Sequence, residues 1–538
     1  MTDQPLFWSD QLAFGTVRKF EGQEEYVVAS GISPSGTVHA GNFREIVTTD
    51  FVAKSLENRG ENVRFIYSWD DYDRFRKVPE NVPDDFEEHI GKPLCDVPDP
   101  EGCHESYARH FESRLEEELE GLHIDVEFIR QHEMFRSCQY ADQIRQAMNN
   151  RKKIKEILDS YRSEPLSDDW WPLRIYCTEC GKDFTDIQDY DGEYTVRYFC
   201  SECGEEREID FSKDGSVKPG WRVDWPMRWH YEGVDFEPAG KEHSAAGGSR
   251  DTANEIVREI YGDEPPVHQM YEFVTRDGSK ISSSSGENVF AISDLKEIYT
   301  PEMIRFLFSN TKPNKAFEIP FETEEIFQRY DKFDTIEEAY YNPETVENEK
   351  KRDHWKRVYE IATVNVPESQ PVRVPFQHAS FIAQTVPEDK WETEAIESLK
   401  RTGHVPEDIG GRGIDQVKTR LEKARNWARR YAPEEYVYEI NQNPGPEAVD
   451  RMEEDQIEAL ELLRNLLRDE NFVEQDELDG KIFDVRDRSD LETGEFFETC
   501  YRALIGRPEG PRLSRLIMSV GQGDSAEILD AFVHGKAS

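Results

Sequence analysis

The chain has 538 residues and carries 112 acidic against 66 basic side chains, a formal charge of -46. Its 12% aromatic content excludes an acidic disordered chain, and no apolar run reaches the roughly 20 residues of a membrane span. Charge of this size points to work in concentrated salt. It argues on its face against a nucleic-acid partner, because phosphate binding draws on Lys and Arg. Met1 to Asp10 has neither a basic start nor an apolar core, so a cytoplasmic location is expected.

In chain order, the apolar run Tyr26-Val27-Val28-Ala29 predicts a strand that enters the loop Ser30 to Asn42. A helical pattern from Phe43 to Arg59 leaves that loop and is stopped by Gly60. A strand–loop–helix crossing of this kind offers unpaired N–H groups to anionic oxygens. Gly31, Gly36 and Gly41 leave the backbone open to a ligand, Ser33 and Pro34 sit in the loop, and His39 and Asn42 add side-chain donors. A second strand, Val63 to Tyr67, runs into Asp70, Asp71 and Asp73, carboxylates suited to a cationic substrate or a ribose. Residues 80–140 read as an insertion. Within it, Asp99, Cys103, His104 and His110 offer oxygen, sulfur and nitrogen to a tetrahedral metal, at irregular spacing. Gln143 to Arg162 predicts a basic helix, which reads equally well as an RNA-facing surface or as a solvated face.

The pairs Cys177/Cys180 and Cys200/Cys203, each C-x-x-C, have the spacing of a zinc ribbon over 172–215. Residues 221–275 return to α/β character, with Trp225 in a stretch too aromatic and charged for a plain core strand. Lys241-Glu242-His243 then leads through Gly247-Gly248 into a helix near Asp251. A strand from Val267 to Val274, containing Tyr271, precedes the Ser/Gly loop that holds Lys280, Ser282, Ser283 and Ser284. From about 293 the chain turns helical. Over 414–431 the apolar positions step by three or four, and Lys418, Arg420, Lys423, Arg425, Arg429 and Arg430 fill the rest of the helix.

His39-Ala40-Gly41-Asn42 resembles the HIGH signature of class I aminoacyl-tRNA synthetases, and Lys280-Ile281-Ser282-Ser283-Ser284 resembles their KMSKS signature. With 70–79, 91–110, 222–248 and Leu504 to Leu513, the chain resembles the class I lysyl-tRNA synthetases over most of its length. The resemblance implies an α/β fold: a Rossmann-type catalytic domain at 1–292 with two zinc-binding insertions, a stem-contact connector at 293–350, and an all-α anticodon-binding cage at 351–538. It implies one zinc on Cys177, Cys180, Cys200 and Cys203, and a second on Asp99, Cys103, His104 and His110. It also implies ATP and Mg²⁺, with L-lysine and tRNA(Lys) as partners and no membrane. His39, Asn42 and Lys280 would serve the phosphates. Asp70, Asp71, Asp73, Trp225, His243 and Tyr271, with Gly31 and Ser33, would form the amino-acid pocket. The family often carries a second lysine at the position of Ser283 or Ser285; both are Ser here. A small-molecule nucleotidyltransferase shares the first loop but lacks the helical C-terminal half. A glutamyl enzyme would want Arg where this chain offers Asp.

Self-repulsion of the -46 charge is screened over roughly 3 Å at 1 M salt. Folding and activity are therefore expected to need salt on the order of molar. Circular dichroism and catalytic rate, followed together from dilute buffer to multimolar potassium chloride, should both rise before either falls.

Overall fold

The computed structural model describes residues 7–79, 82–276, 279–280 (backbone only), 290–322, 324–441, 444–472 and 475–535. They fall into two compact units. The first comprises Met1–Lys296, Pro301–Ile319 and Pro343–Val366; the second comprises Glu297–Thr300, Pro320–Asn342 and Pro367–Ser538.

The first unit is built on a five-stranded sheet, in the order Val267–Tyr271, Val234–Gly240, Tyr26–Ile32, Val63–Trp69, Glu127–Arg130. Every neighbouring pair is parallel. Parallel strands are covered on both faces, which is why Tyr26 to Ala29 can be one continuous apolar run. The strand Tyr26–Ile32 pairs along its whole length with Val63–Trp69, from Tyr26 opposite Val63 to Ile32 opposite Trp69. Chain order reverses at Tyr26–Ile32, because its other neighbour, Val234–Gly240, comes some two hundred residues later. In open parallel sheets such a reversal opens a crevice at the carboxyl ends of the strands.

The helix Ala40–Glu57 follows the central strand and is buried on almost every side, by Phe43, Ile46, Val47, Phe51, Val52 and Leu56 among others. Two charged groups are buried with it. Arg44 donates to the carbonyls of Glu272 (3.0 Å), Phe273 (3.3 Å), Lys312 (3.1 Å) and Lys315 (2.7 Å). Asp50 pairs at 2.7 Å with Arg305 on the helix Pro301–Ser309. Arg305 also donates to the carbonyls of Leu122 and Ile361.

Several elements differ from the sequence reading. The segment expected as an insertion over 80–140 contributes the edge strand Glu127–Arg130 to the central sheet. That strand is four residues long with one buried side chain, too little pattern to read. The basic stretch 143–162 is two helices, Ala141–Asn149 and Arg151–Ser160, and three of its cations are paired: Arg145 with Glu193, Lys153 with Glu259, Lys155 with Asp159. The strand expected over 267–274 breaks after Tyr271; Val274–Arg276 joins a separate sheet with Ser279–Lys280 and Phe317–Glu318. The aromatic stretch at 221 is a helix, Trp221–Glu232. Trp221, Trp225 and Trp229 recur every four residues, so their rings succeed one another on one face, with centroids 5.0 and 4.9 Å apart.

The second unit is built of helices, including Glu325–Tyr341, Phe376–Thr385, Gly411–Arg430 and Glu454–Asp469. Of the cations on Gly411–Arg430, Lys418 pairs with Glu392, Arg420 with Asp334, Arg425 with Glu388 and Arg430 with Glu297. The connector expected at 293–350 is shared: Pro301–Ser309 belongs to the first unit and Glu325–Tyr341 to the second. Among the described residues no helix is long and apolar enough to cross a membrane.

Arg305 is fully buried, and its removal strands the Asp50 carboxylate. Arg305→Met should cost about 3–5 kcal/mol, measured as a lowered urea midpoint at unchanged slope.

Candidate active site

The crevice at the reversal is where the first signature lies. His39 caps the helix Ala40–Glu57: its Nδ1 accepts from the Asn42 N–H at 3.2 Å, while Asn42 Oδ1 accepts from the His39 N–H at 3.4 Å. Both residues therefore define the helix start that anionic oxygens favour. With Nδ1 an acceptor, the neutral ring carries its proton on Nε2. Gly41 stands in the first turn. Gly31 has a reason beyond ligand approach: a Cβ there would meet the Ser68 carbonyl oxygen on the neighbouring strand at 2.7 Å. Gly36 faces open space. Pro34 is buried, and the Tyr107 hydroxyl donates to the Ser35 carbonyl at 3.0 Å.

Residues 290–291, which follow the second signature in sequence, meet the first through backbone. His39 forms an antiparallel bridge with Ala291, and the Ala40 N–H donates to the Phe290 carbonyl at 2.8 Å. On the approach side, Arg44 holds the Glu272 and Phe273 carbonyls just before Val274–Arg276. Lys280 pairs by backbone with Thr275. The Lys280 side chain and Ser282, Ser283 and Ser284 lie outside the described residues.

Beside this start is a small cavity lined by Ser30, Gly31, Asp70, Trp221, Trp225, Arg228, Trp229, Glu232 and Glu237. The carboxylates expected to face substrate have protein partners. Asp70 lines the cavity but pairs with Arg228 at 2.6 Å. Asp71 holds the His132 backbone N–H (2.8 Å) and ring. Asp73 pairs with Lys218 at 2.6 Å and accepts from the Ser33 hydroxyl at 3.2 Å. Asp224 lies between Arg228 (3.3 Å) and Lys218 (3.8 Å). In so acidic a chain these acids are mostly answered from within.

Glu237, which sequence reasoning missed, differs. It is 8% exposed on the strand Val234–Gly240 and accepts from Trp229 Nε1. Among the described residues it has no cation within ion-pair distance, whereas its cavity neighbours Asp70 and Glu232 pair with Arg228 and Arg64. Burial raises its pKa, opposed by Arg250.

Of the aromatic residues expected in the pocket, Trp225 lines the cavity and His243 and Tyr271 do not. The His243 ring centroid lies 6.1 Å from that of Trp225. His243 Nδ1 meets Ser249 Oγ at 2.7 Å, and burial lowers its pKa. The Tyr271 hydroxyl donates to Glu45 at 2.5 Å; Glu45 also accepts from Ser30 Oγ (3.0 Å) and Gly31 N (3.3 Å). Glu45, a second residue missed in the sequence, thus fixes Tyr271 against the signature loop. Burial pushes its carboxyl up to about 7 against those three hydrogen bonds. Its position five residues before Asp50 on an all-round buried helix was the available signal.

Two clusters have the donors and spacing for a metal. Cys177, Cys180, Cys200 and Cys203 bring their sulfurs within 4.8 Å of one another. Cys177–Cys203 and Cys180–Cys200 are both 3.7 Å, against about 3.8 Å for tetrahedral Zn–S bonds of 2.3 Å. The three-stranded antiparallel ribbon from Thr185 to Asp210 carries one pair. In the second cluster Cys103 Sγ lies 3.2 Å from Asp99, 3.0 Å from His104 Nδ1 and 3.4 Å from His110 Nδ1. Ser113, on the helix Tyr107–Leu119, meets His104 Nε2 at 2.9 Å and so orients the ring, as outer partners of metal ligands do.

A family described as tRNA synthetases class I (K) matches residues 6–365. The chain is 43% identical over 522 residues to a lysine–tRNA ligase of Pyrococcus furiosus, covering 96% of this chain and 97% of that one. It is 42% identical to one of Thermococcus kodakarensis (96% and 98% covered) and 39% identical to one of Borreliella burgdorferi (98% and 99%). The chain belongs to the class I (K) tRNA synthetases. As such a synthetase it uses ATP and Mg²⁺, and the parallel sheet followed by a helical unit is the architecture its sequence implied.

Glu45 yields a pH test. A carboxyl whose pKa is about 7 in the fold and about 4.5 in the open chain stabilises the fold at low pH, and that contribution is lost as pH rises through 7. Glu45→Gln should remove it. The stability of the variant relative to the parent should therefore rise between pH 4.5 and 7, read from urea unfolding at each pH.

Proposed function

We propose that this chain ligates L-lysine to tRNA(Lys) through a lysyl-adenylate, releasing pyrophosphate and then AMP. The observation that carries this is the 39–43% identity with lysine–tRNA ligases over 96–98% of the chain. In the first step the lysine carboxylate attacks the α-phosphate of ATP and pyrophosphate leaves. In the second a ribose hydroxyl of the terminal adenosine takes the lysyl group, freeing AMP. Displacement at phosphorus is served by positioning and charge neutralisation. In this reading the helix start at Ala40, the His39 Nε2 proton and the Asn42 amide meet the phosphates. Lys280 neutralises the charge that moves onto pyrophosphate. Mg²⁺, when bound, supplies further positive charge there. Gly31 and Ser33 face the reacting carboxylate, and Trp225, His243 and Tyr271 wall the side chain.

Glu237 is assigned the lysine ammonium. It is a buried cavity carboxylate with no cation of its own among the described residues, so a bound ammonium would end an uncompensated burial. Asp70 and Asp73 then hold Arg228, Lys218 and Ser33 in place around it. Zn²⁺ is assigned to both clusters as a structural ion, since four protein ligands leave no open position. The helical unit is assigned to tRNA, and the enzyme to the cytoplasm.

Charging assays across the twenty amino acids should give lysine-dependent product; preference for glutamate or arginine would overturn the assignment. Glu237→Gln should raise the KM for lysine at least about 10-fold, with the KM for ATP little changed. Lys280→Ala should slow adenylate formation in single turnovers about 100-fold while lysine binding holds. Elemental analysis of protein purified without chelator should find about two zinc ions per chain by ligand count, one of which is lost in Cys177→Ser.

A further inference from the structure

The ribbon that carries Cys177, Cys180, Cys200 and Cys203 is tied at its neck. The strands Leu173–Ile175 and Val217–Pro219 pair antiparallel there, with Arg174 opposite Lys218 and Ile175 opposite Val217. From this neck the ribbon grips the segment that follows the strand Val63–Trp69. The Tyr176 hydroxyl donates to the Tyr72 carbonyl at 2.7 Å, and the Tyr72 hydroxyl donates back to the Gly215 carbonyl at 3.1 Å. The two rings lie 5.0 Å apart. Arg74 pairs with Asp183 at 3.2 Å and lies 4.8 Å over the Phe184 ring. Gly215 presses on the backbone of the helix Gln131–Arg136, since a Cβ there would fall 1.8 Å from the Phe135 carbonyl oxygen. A ribbon that served only its own fold would need none of these contacts. They hold Tyr72 and Arg74, and Asp73 stands between the two.

Asp73 is held from the same side. Lys218, at the centre of the outgoing neck strand, is 5% exposed and pairs with Asp73 at 2.6 Å; Asp224 is a second partner at 3.8 Å. Burial raises the pKa of the Asp73 carboxyl, but Lys218, with help from Arg228 and Arg76, outweighs burial and holds it below the usual carboxylate range. An ionised carboxylate only accepts. The other Asp73 oxygen accepts from the Ser33 hydroxyl at 3.2 Å, and the Asp70 carbonyl stands 3.3 Å from the same hydroxyl. The Ser33 proton is therefore spent on the protein, and the place of Asp73 sets the direction of the Ser33 oxygen.

We propose that Lys218 is a positioning residue for amino-acid activation, and that the ribbon delivers it. Closure of the ribbon on its four cysteines holds the neck strands together. Lys218 then fixes Asp73, and Asp73 fixes the Ser33 hydroxyl in the loop before the first signature. Lys218 touches no substrate and acts through two side chains. The inference rests on the proposed activation of lysine, with Ser33 facing the amino acid.

The experiment is a double-mutant cycle on the full chain, read as lysine-dependent ATP–pyrophosphate exchange at saturating tRNA(Lys). Lys218→Met should raise the KM for lysine about 10-fold, the scale of one lost hydrogen bond to a charged group, with the KM for ATP little changed. Ser33→Ala should do the same. The double variant should lose about 10-fold, not the roughly 100-fold of independent losses. Lys218→Arg, which keeps the charge, should restore part of the loss. Should Lys218→Met fail to match the parent by circular dichroism, Tyr176→Phe takes its place in the cycle, with an expected loss of about 3-fold and every charge left intact. Hydrogen exchange gives a readout that needs no turnover: in Cys177→Ser the peptide holding Tyr72 to Arg76 should exchange its amides faster. Unchanged exchange there would overturn delivery by the ribbon. An unchanged KM in Lys218→Met, or losses that multiply in full, would overturn the role of Lys218 and leave lysine activation intact. A parent without lysine-dependent exchange would overturn both.

Discussion

The Arg44 guanidinium is the tie on which the catalytic unit depends. It is 2% exposed and gives its N–H groups to four backbone carbonyls on two segments distant in sequence. Burying a guanidinium is costly unless its donors are met, and burial does pull its pKa down to about 10. Carbonyls meet the donors without adding another acid to the interior. The consequence is geometric: the helix that begins at the first signature cannot shift without carrying the approach to the second. The bridge from His39 to Ala291 closes the same connection from the far side. Two segments some two hundred and forty residues apart are held at one helix start.

Around that frame the unit manages an unusual load of acid. Asp50 with Arg305, Asp70 with Arg228 and Asp73 with Lys218 are buried or nearly buried pairs, the last two at the carboxyl end of the strand Val63–Trp69. Each carboxylate is compensated locally, so burial does not strand it. The exposed basic faces tell a similar story, because acids lace them too. Surface pairs of this sort are worth little and are screened by salt. Uncompensated groups are then informative. Among the described residues Glu237, in the sheet crevice, has no cation within ion-pair distance, and the functional reading uses it.

Local pattern carried much of this in the sequence. The glycine-bearing loop between an apolar run and a helix placed the crevice. The two C-x-x-C pairs placed the ribbon, and the Asp99 cluster gathered although its spacing is irregular. What the sequence withheld depends on tertiary partners. Asp70, Asp71 and Asp73 looked free because Arg228, Lys218 and His132 are remote in the chain. Glu45 and Glu237 looked like two more acids among 112. The strand Glu127–Arg130 is too short to carry a period, and the tryptophans at 221, 225 and 229 hid a helix behind a composition that suggested otherwise. The resemblance to class I synthetases implied the roles, and backbone contacts join the first signature to residues before and after the second.

That joint action is the central claim, and a double-mutant cycle measures it. Adenylate formation would be followed in single turnovers for the parent, Asn42→Ala, Lys280→Ala and the double variant. Groups that serve one triphosphate in one transition state lose their effects non-additively. The account predicts that the double variant falls short of the product of the two single losses by a coupling of at least about 1 kcal/mol. Losses that multiply in full would mean that the two signatures act independently, and would contradict it.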